Sequence, residues 1–315
     1  MYLPVLPIYI YGVVRTRKLL YFTAANPGIE MGGFFGEKKD EILDLILDKY
    51  KVRDISVQSG GDISEEELNR SSIQFPVIAK PNVGERGHGV ELIGNPEKLK
   101  EYKCKEEDYI IQEYVDFPIE LGVLYFRLPG NQKGQVTSIT QKEFLTVVGD
   151  GVSSVYQLLE KHSRGKLYRF SLKSDYSERL THVPMKGEKY EVHRIGNHSK
   201  GTRFLDSNKY VNQKVNHVFD RINSSVKGVY YGRYDLKVPS FKDLEEGKNI
   251  KIFELNGVSS EPGHMYDQPN VLYAYRILAK HWIYIIDIAE QNIKSGAETT
   301  PLSYFLSQIK RHFLS

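Results

Sequence analysis

From Ser71 onward the pattern of apolar and polar positions becomes strand-rich, with candidate strands over 76–81, 89–93, 108–113, 120–128, 135–142, 190–195, 229–238 and 250–256. Between them the apolar spacing predicts helices over 96–102, 153–162, 209–226 and 270–292, with a terminal helix around Ser303–Phe313. Residues 1–70 read as a short α/β region. It has a buried strand over 19–25, a turn at Asn26-Pro27-Gly28, and helical periodicity from Glu41 to Tyr50 that puts Ile42, Leu45 and Ile46 on one face. Ile55-Ser56-Val57 reads as a short strand, and the acidic run Glu65-Glu66-Glu67 as a solvated helix face. The charged, glycine-containing stretch 239–249 reads as a long exposed hairpin loop. Neither an internal repeat nor a low-complexity tail is visible. The expected class is α+β, with antiparallel sheets flanked by helices.

Composition narrows the picture. The 315 residues allow one large domain or two ordinary ones, and 40% hydrophobic residues suffice for a proper core. A net charge of +3 is too small to argue for nucleic acid, and the 22 tyrosines are scattered. The single cysteine, Cys104, excludes an internal disulfide and fits a reducing compartment; within Lys103-Cys104-Lys105 it does not read as a nucleophile. Met1 to Val14 is apolar but holds Pro4 and Pro7 and lacks the order of a signal peptide; a peripheral membrane contact there stays open. No later run reaches spanning length, since Trp282-Ile283-Tyr284-Ile285-Ile286 ends at Asp287. A soluble, cytoplasmic protein is expected. His182, His193 and His198 lack a recognisable zinc spacing, and no Ser/His/Asp triad is evident.

The candidate chemistry concentrates in two strand-like segments, Gly232-Arg233-Tyr234-Asp235-Leu236-Lys237 and Ile252-Phe253-Glu254-Leu255-Asn256-Gly257. Side chains alternate across a strand, so Arg233, Asp235 and Lys237 share one face, and Glu254 and Asn256 share another. If the two strands pair, Asp235, Glu254 and Asn256 converge. Two carboxylates and an amide carbonyl are hard oxygen donors of the kind that hold Mg²⁺ beside substrate phosphates. Arg233 beside them suits a developing phosphate charge. Each residue alone also admits a plain structural, salt-bridged role.

Upstream, Phe75-Pro76-Val77-Ile78-Ala79-Lys80-Pro81 is a strand ending in a lysine, followed by Gly84, Gly87 and Gly89. Glycines let main-chain N–H groups approach an anion closely. Their order is neither the dinucleotide fingerprint nor a Walker loop, and fits a hairpin flap over phosphates, with Lys80 as the neutralising cation. An ordinary glycine-rich hairpin is the alternative. Tyr109-Ile110-Ile111-Gln112-Glu113-Tyr114-Val115-Asp116 is a strand running into a polar hinge, followed by Glu120. Backbone groups at such a hinge can read an adenine edge, and a carboxylate just beyond can accept from ribose hydroxyls.

Taken in order, these pieces resemble the ATP-grasp superfamily, and within it the D-alanine–D-alanine ligase and cyanophycin-synthetase branches. The matching residues are Pro76–Pro81 with the glycine flap, Gln112–Val115 with Glu120, Lys142 before Val148-Gly149-Asp150-Gly151, Gly232–Asp235, and Phe253–Asn256. Val148 to Val155 is also similar to the bifunctional glutathione-synthetase stretch, and the resemblance covers roughly residues 71–268. It implies an ATP-grasp fold of two α+β subdomains gripping ATP, with 71–118 as the nucleotide-flap subdomain and 119–315 as the metal and substrate subdomain. Lys80 and Lys142 would contact phosphates or the adenine region, Glu113, Tyr114 and Val115 would line the adenine site, and Glu120 would take the ribose. Asp235, Glu254 and Asn256 would bind Mg²⁺ or Mn²⁺ as a two-ion cluster. Arg233, together with Lys142, would serve the transferred phosphoryl group. The implied reaction is ATP-dependent ligation of a carboxylate to an amine through an acylphosphate, on an amino acid or small peptide. The expected partners are those small molecules, with no nucleic acid and no membrane span; a homodimer is allowed.

The chain departs from that pattern in two places. The loop after the metal strand is Gly257-Val258-Ser259-Ser260-Glu261-Pro262-Gly263-His264, longer than the usual one, and Ser259, Ser260 and His264 become candidate substrate contacts. Gly196-Asn197-His198-Ser199-Lys200-Gly201-Thr202-Arg203 lies where the cyanophycin branch has a loop, and Arg203 could bind a substrate carboxylate. Asn26 to Glu30 and Gly32 to Lys38 either line an acceptor pocket or form a structural turn and helix start. A noncatalytic ATP sensor or docking module and an ATP-grasp enzyme with a non-amine acceptor remain the alternative functions.

Overall fold

The computed structural model describes residues 5–84, 87–102, 107–167, 177–192, 201–267 and 270–314. In chain order the elements are α1 (Leu6–Thr16), α2 (Lys39–Leu43), β1 (Asp54–Val57), α3 (Glu65–Arg70), β2 (Val77–Pro81), β3 (Glu91–Ile93) and α4 (Pro96–Lys100). They continue with β4 (Tyr109–Glu113), β5 (Ile119–Phe126), β6 (Gln135–Glu143), β7 (Thr146–Val148), α5 (Val155–Lys161), α6 (Ser177–Thr181), β8 (Lys189–Glu191) and β9 (Arg203–Asp206). Then follow α7 (Gln213–Ser225), β10 (Tyr231–Val238), α8 (Phe241–Glu246), β11 (Lys251–Asn256), α9 (Val271–Lys294) and α10 (Leu302–Leu314). The chain divides into unit 1, residues 1–84, 89–141 and 206–315, and unit 2, residues 85–88 and 142–205. The fold is mixed α/β with antiparallel sheets.

Unit 1 contains a sheet in the order β1–β4–β2–β3 and most of a second in the order β11–β10–β5–β6–β9; β6 and β9 carry the chain into and out of unit 2. The first sheet is packed by Val77, Ala79, Tyr109 and Ile111 against Leu68 of α3 and Leu99 of α4. In the second sheet β10 is an interior strand between β11 and β5, and its pleat sorts its side chains. Tyr234 and Leu236 join Leu121, Val123 and Leu255 in a buried cluster with Val215, Val218, Phe219 and Ile222 of α7. On the other face Tyr231 meets Leu124 and the α9 residues Ile285 and Ile286. Arg233, Asp235 and Lys237 share that second face, so the strand holds a charged row between two apolar layers. Unit 2 has its own small core, Leu145, Val147, Val155, Leu159, Leu180 and Val192, around the β7–β8 pair.

Helix signals explain most ends. Asn212 starts α7 by accepting from the Val215 N–H at 3.1 Å, and Asn270 starts α9 by accepting from Tyr273 N–H at 3.2 Å. Three expectations change. Residues 19–25 are not a strand: Tyr21–Ala25 form a buried 3₁₀ turn, because a short apolar run does not distinguish a buried strand from a buried helical turn. The helical run expected to Tyr50 is regular only over Lys39–Leu43. Residues 239–249 are not an open loop; Ser240 accepts from Asp243 N–H at 3.1 Å and Gly247 closes α8 with φ of 68°. Missing from the expectation was α1, an apolar helix whose early proline is tolerated near the first turn.

The Asn26 turn resolves as a structural clasp. Its carboxamide accepts from Tyr230 N–H at 2.8 Å and Tyr231 N–H at 3.0 Å, and donates to the Gly32 and Tyr231 carbonyls at 3.0 and 2.7 Å. The side chain is fully buried, so each lost partner leaves an unpaired backbone group. Asn26→Ala is expected to lower unfolding free energy by about 3 kcal/mol in urea titration; an unchanged midpoint would show the clasp to be dispensable.

Candidate functional site

Strands β10 and β11 pair antiparallel, with Arg233 opposite Asn256 and Asp235 opposite Glu254. The conditional convergence of the three oxygen donors is thus met on the backbone, although α8 rather than a tight turn connects the strands. The register shifts between Asp235 and Leu236, whose partner is Ile252, and leaves Phe253 as an extra residue on β11. Such a bulge re-aims side chains and disturbs ladder bonding. The Phe253 carbonyl accepts from the Lys80 ammonium at 3.0 Å and from the Gln112 amide at 3.5 Å. The bulge therefore provides the acceptor that draws the β2 lysine toward the acidic strand pair.

Arg233 grips Asp235 with two bonds, Nε to Oδ1 at 2.8 Å and Nη2 to Oδ2 at 3.2 Å, and its Nη1 donates to the Glu261 carbonyl at 3.4 Å. Asp235 is only 2% exposed. Burial by itself would lower the Arg233 pKa, but the Asp235 carboxylate outweighs it and the net shift is upward. The pair fits because β5 presents Gly122 opposite Asp235. A Cβ at Gly122 would lie 3.1 Å from Asp235 Oδ1 and 3.2 Å from Arg233 Cδ, so a side chain there would displace the pair. Sequence reading passed over Gly122, and its signal was a glycine inside a strand pattern.

Lys80 is buried, which pushes its pKa down to about 8; Glu254 opposes that effect and Lys39 adds to it. Lys39, also missed, donates from Nζ to the Gly84 carbonyl at 2.6 Å and to the Asn82 carbonyl at 3.4 Å. It ties the start of α2 to the base of the glycine-rich turn, in which Gly87 and Gly89 have φ of 71° and 65°. At the hinge, Lys237 donates to the Val115 carbonyl at 3.0 Å and lies 5.2 Å from the centroid of the Tyr114 ring. Glu120 is buried opposite Lys237 on β5. Glu113 faces another way chemically: its carboxylate binds Arg53 Nε at 2.7 Å and Lys251 Nζ at 2.8 Å, and its backbone N–H donates to the Arg53 carbonyl at 2.9 Å.

Asp235, Glu254 and Asn256 carry side-chain oxygens on paired strands, a donor type that suits a hard divalent cation. The buried Asn256 Nδ2 has no hydrogen-bond partner among the described residues. Among the described residues no group of three His, Cys, Asp or Glu could hold a metal ion.

In the loop after β11, Ser259 Oγ donates to the Gly33 carbonyl at 3.1 Å and Ser260 Oγ to the Gly257 carbonyl at 2.6 Å. Val258 and Ser259 N–H groups also bond the Gly32 and Gly33 carbonyls at 3.1 and 3.2 Å, so the glycine pair of the N-terminal region buttresses this loop. Gly257 has no room for a side chain, as a Cβ would sit 2.4 Å from the Gly32 carbonyl oxygen. Tyr266 donates to Glu261 within the same segment. His264 is buried on Ser138 and Thr140 of β6. Gly87, Lys142 and Arg203 belong to unit 2, where Arg203 lies 3.8 Å from Glu143 and His182 stacks on Tyr190. Cys104, His193, His198 and residues 196–200 lie outside the described residues.

Residues 49–122 match the model of the tubulin-tyrosine ligase family. A formate-dependent phosphoribosylglycinamide formyltransferase from Sulfurisphaera tokodaii is 32% identical over 130 residues, covering 38% of this chain and 31% of that protein. Its namesake from Prochlorococcus marinus is 26% identical over 97 residues, covering 28% and 25%. The chain thus spans less than a third of the length of these curated relatives. Among solved structures, D-alanine–D-alanine ligase from Bacillus anthracis complexed with ATP is similar with a TM-score of 0.45 at 14% identity, covering 82% of this chain and 68% of that one. The bifunctional glutathione synthetase from Pasteurella multocida gives 0.36 at 17% identity, covering 82% and 38%. The chain resembles the ATP-grasp superfamily.

Lys80 yields a pH test. Bound phosphate favours the protonated amine, so affinity is greatest where Lys80 already carries its proton. Calorimetric ATP affinity is expected to fall as pH rises above about 8, by at most about tenfold per unit. Lys80→Arg should flatten that dependence. A flat profile in the unaltered protein would remove Lys80 from the phosphate site.

Proposed function

We propose that this chain is an ATP-dependent carboxylate–amine ligase acting on an amino acid or small peptide. The observation that carries the reading is the charged array on β10 and β11: the buried Asp235 held by the half-buried Arg233, Glu254 directly across the ladder, and Lys80 drawn to the bulge carbonyl between them. Phosphoryl transfer asks for positioning and charge neutralisation more than for a covalent protein nucleophile, and this array is rich in both. The ligase named in the family description matching residues 49–122 supports the same class.

In this reading the γ-phosphoryl group passes from ATP to the substrate carboxylate, giving ADP and an acylphosphate. The amine then attacks the carbonyl carbon, the C–O bond to phosphate breaks, and an amide and inorganic phosphate leave. Asp235, Glu254 and Asn256 hold Mg²⁺ or Mn²⁺, which neutralises phosphate oxygens when bound. Arg233, fixed by its bidentate grip on Asp235, presents cationic charge to the transferred group. Lys80 neutralises phosphate oxygens, and Lys142 adds a second cation. Glu113 to Val115 supply backbone groups for adenine and Glu120 accepts from ribose. The turn containing Gly84, Gly87 and Gly89 closes over the phosphates and keeps water from the acylphosphate. Arg203, Ser259, Ser260 and His264 face the carboxylate and amine substrates. The protein works in the cytoplasm.

Release of ADP from ATP and Mg²⁺, with and without pooled amino acids, tests the reaction, with mass spectrometry of the products. Stimulated ADP release with a new amide is expected. Tight ATP binding without turnover, or a phosphorylated product without an amide, would refute ligation. Glu254→Gln removes one anionic ligand and keeps the side chain's shape, and is expected to reduce turnover about 100-fold or more with an unchanged unfolding midpoint. Full activity in that variant would dismiss Glu254 as a ligand.

A further inference from the structure

Helix α1 is seated firmly on one side and bare on the other. Its Ile8, Tyr9 and Val13 lie against the buried cluster that includes Ile285 and Ile286 of α9. Tyr9 meets Trp282 edge-on, with ring centroids 6.5 Å apart, and its hydroxyl donates to the Leu19 carbonyl at 2.8 Å. Arg15 binds Asp287 and Glu290 of α9 at 2.7 and 2.6 Å. The helix positions left exposed are Leu6, Pro7, Ile10, Tyr11 and Val14, the last of them 70% exposed. At 3.6 residues per turn they fill one continuous arc of about 140°. A helix fixed to the surface of a globular protein ordinarily turns charged and polar side chains to water. This one offers water an apolar strip in which the Tyr11 hydroxyl is the one polar side-chain group. A contiguous exposed patch of that kind marks an interaction surface.

Charge indicates what covers the strip. Residues 1–29 hold three cations, Arg15, Arg17 and Lys18, and no Asp or Glu. The two acids that α9 brings to the end of α1, Asp287 and Glu290, are engaged by Arg15. Arg17 and Lys18 are exposed just beyond the helix and form no ion pair among the described residues. Leu19, beside them, is 50% exposed. An apolar strip that carries a tyrosine and ends in cations has the composition of a helix lying in the interface of a membrane with anionic headgroups. The helix has 11 residues, too few to cross a bilayer, so it would lie on the surface. A second copy of the chain fits less well. A two-fold α1–α1 contact would bring together two cationic segments with no acid to pair them.

We propose that the outward side of α1 is a membrane-docking surface. Leu6, Ile10 and Val14 enter the acyl boundary, and Arg17 and Lys18 meet anionic headgroups. The docking stands apart from the ligase reading and holds whether or not the chain forms an amide.

Co-sedimentation of the full chain with lipid vesicles tests it. One set is phosphatidylcholine alone, and the other contains about one-third phosphatidylserine. Partition is expected to be about tenfold or more stronger onto the anionic set. Val14→Glu puts a charge in the middle of the strip and is expected to weaken that partition about tenfold or more, with an unchanged unfolding midpoint. Arg17→Gln with Lys18→Gln leaves the strip intact and is expected to remove most of the preference for the anionic set. Val152→Glu, which changes an exposed apolar residue of unit 2 instead, is expected to bind as the unaltered protein does. Equal partition of the unaltered protein onto both vesicle sets, or unchanged partition in Val14→Glu, would overturn the proposal. So would a dimer in analytical ultracentrifugation that Val14→Glu dissolves, in a chain that binds neither vesicle set; the strip would then belong to a second copy.

Discussion

A buried carboxylate and the half-buried guanidinium that grips it, two residues apart on one strand, set the terms for the surrounding structure. Desolvating such a pair costs several kcal/mol per ion, and the return depends on good geometry and on pairing every remaining hydrogen. Arg233 and Asp235 meet that demand locally. Their two bonds are parallel, a third runs to the Glu261 carbonyl, and Gly122 on the neighbouring strand leaves the volume they occupy. The apolar layers on α7 and α9 then exclude water from both sides of the strand that carries them. A stability role alone would be met more cheaply by apolar residues of similar size, which is why this pair points to chemistry.

The rest of unit 1 reads as support for that strand. The bulge at Phe253 keeps Glu254 opposite Asp235 while giving Lys80 a carbonyl to hold. The N-terminal region, through Asn26 and the Gly32–Gly33 carbonyls, fixes both the entry to β10 and the loop after β11. Lys39 links the same region to the glycine-rich turn. A segment expected either to line a pocket or to form a turn thus holds the entry to β10 and the loop after β11 in register. Among the described residues, two of the buried side-chain atoms without a protein partner, on Asn256 and His264, fall within the short stretch from β11 into its following loop.

Much of this was legible in residue order. Strands β2 and β4 show as apolar runs ending in polar residues and β10 and β11 as period-two patterns, and the shared face of Glu254 and Asn256 follows from that period alone. Helix α9 announced itself by length and by its asparagine cap. Other features depend on three-dimensional closeness. The bulge is a one-residue mismatch between two strands and leaves no mark in either strand singly. Gly122 matters only because Asp235 is its ladder partner. The Lys39 ammonium meets loop carbonyls more than forty positions away in sequence. The buried 3₁₀ turn at Tyr21–Ala25 was taken for a strand because its apolar run carries no period. The small helix α8 was taken for a loop because its cap residues, Ser240 and Gly247, are also turn residues.

The most direct test is a crystal structure of the full chain with Mg²⁺ and a non-hydrolysable ATP analogue. Oxygens of Asp235, Glu254 and Asn256 are expected at about 2.1 Å from magnesium, with the Lys80 ammonium on the phosphate oxygens. Magnesium coordinated away from those three side chains, or a triphosphate that does not reach Lys80, would contradict the assignment of this site.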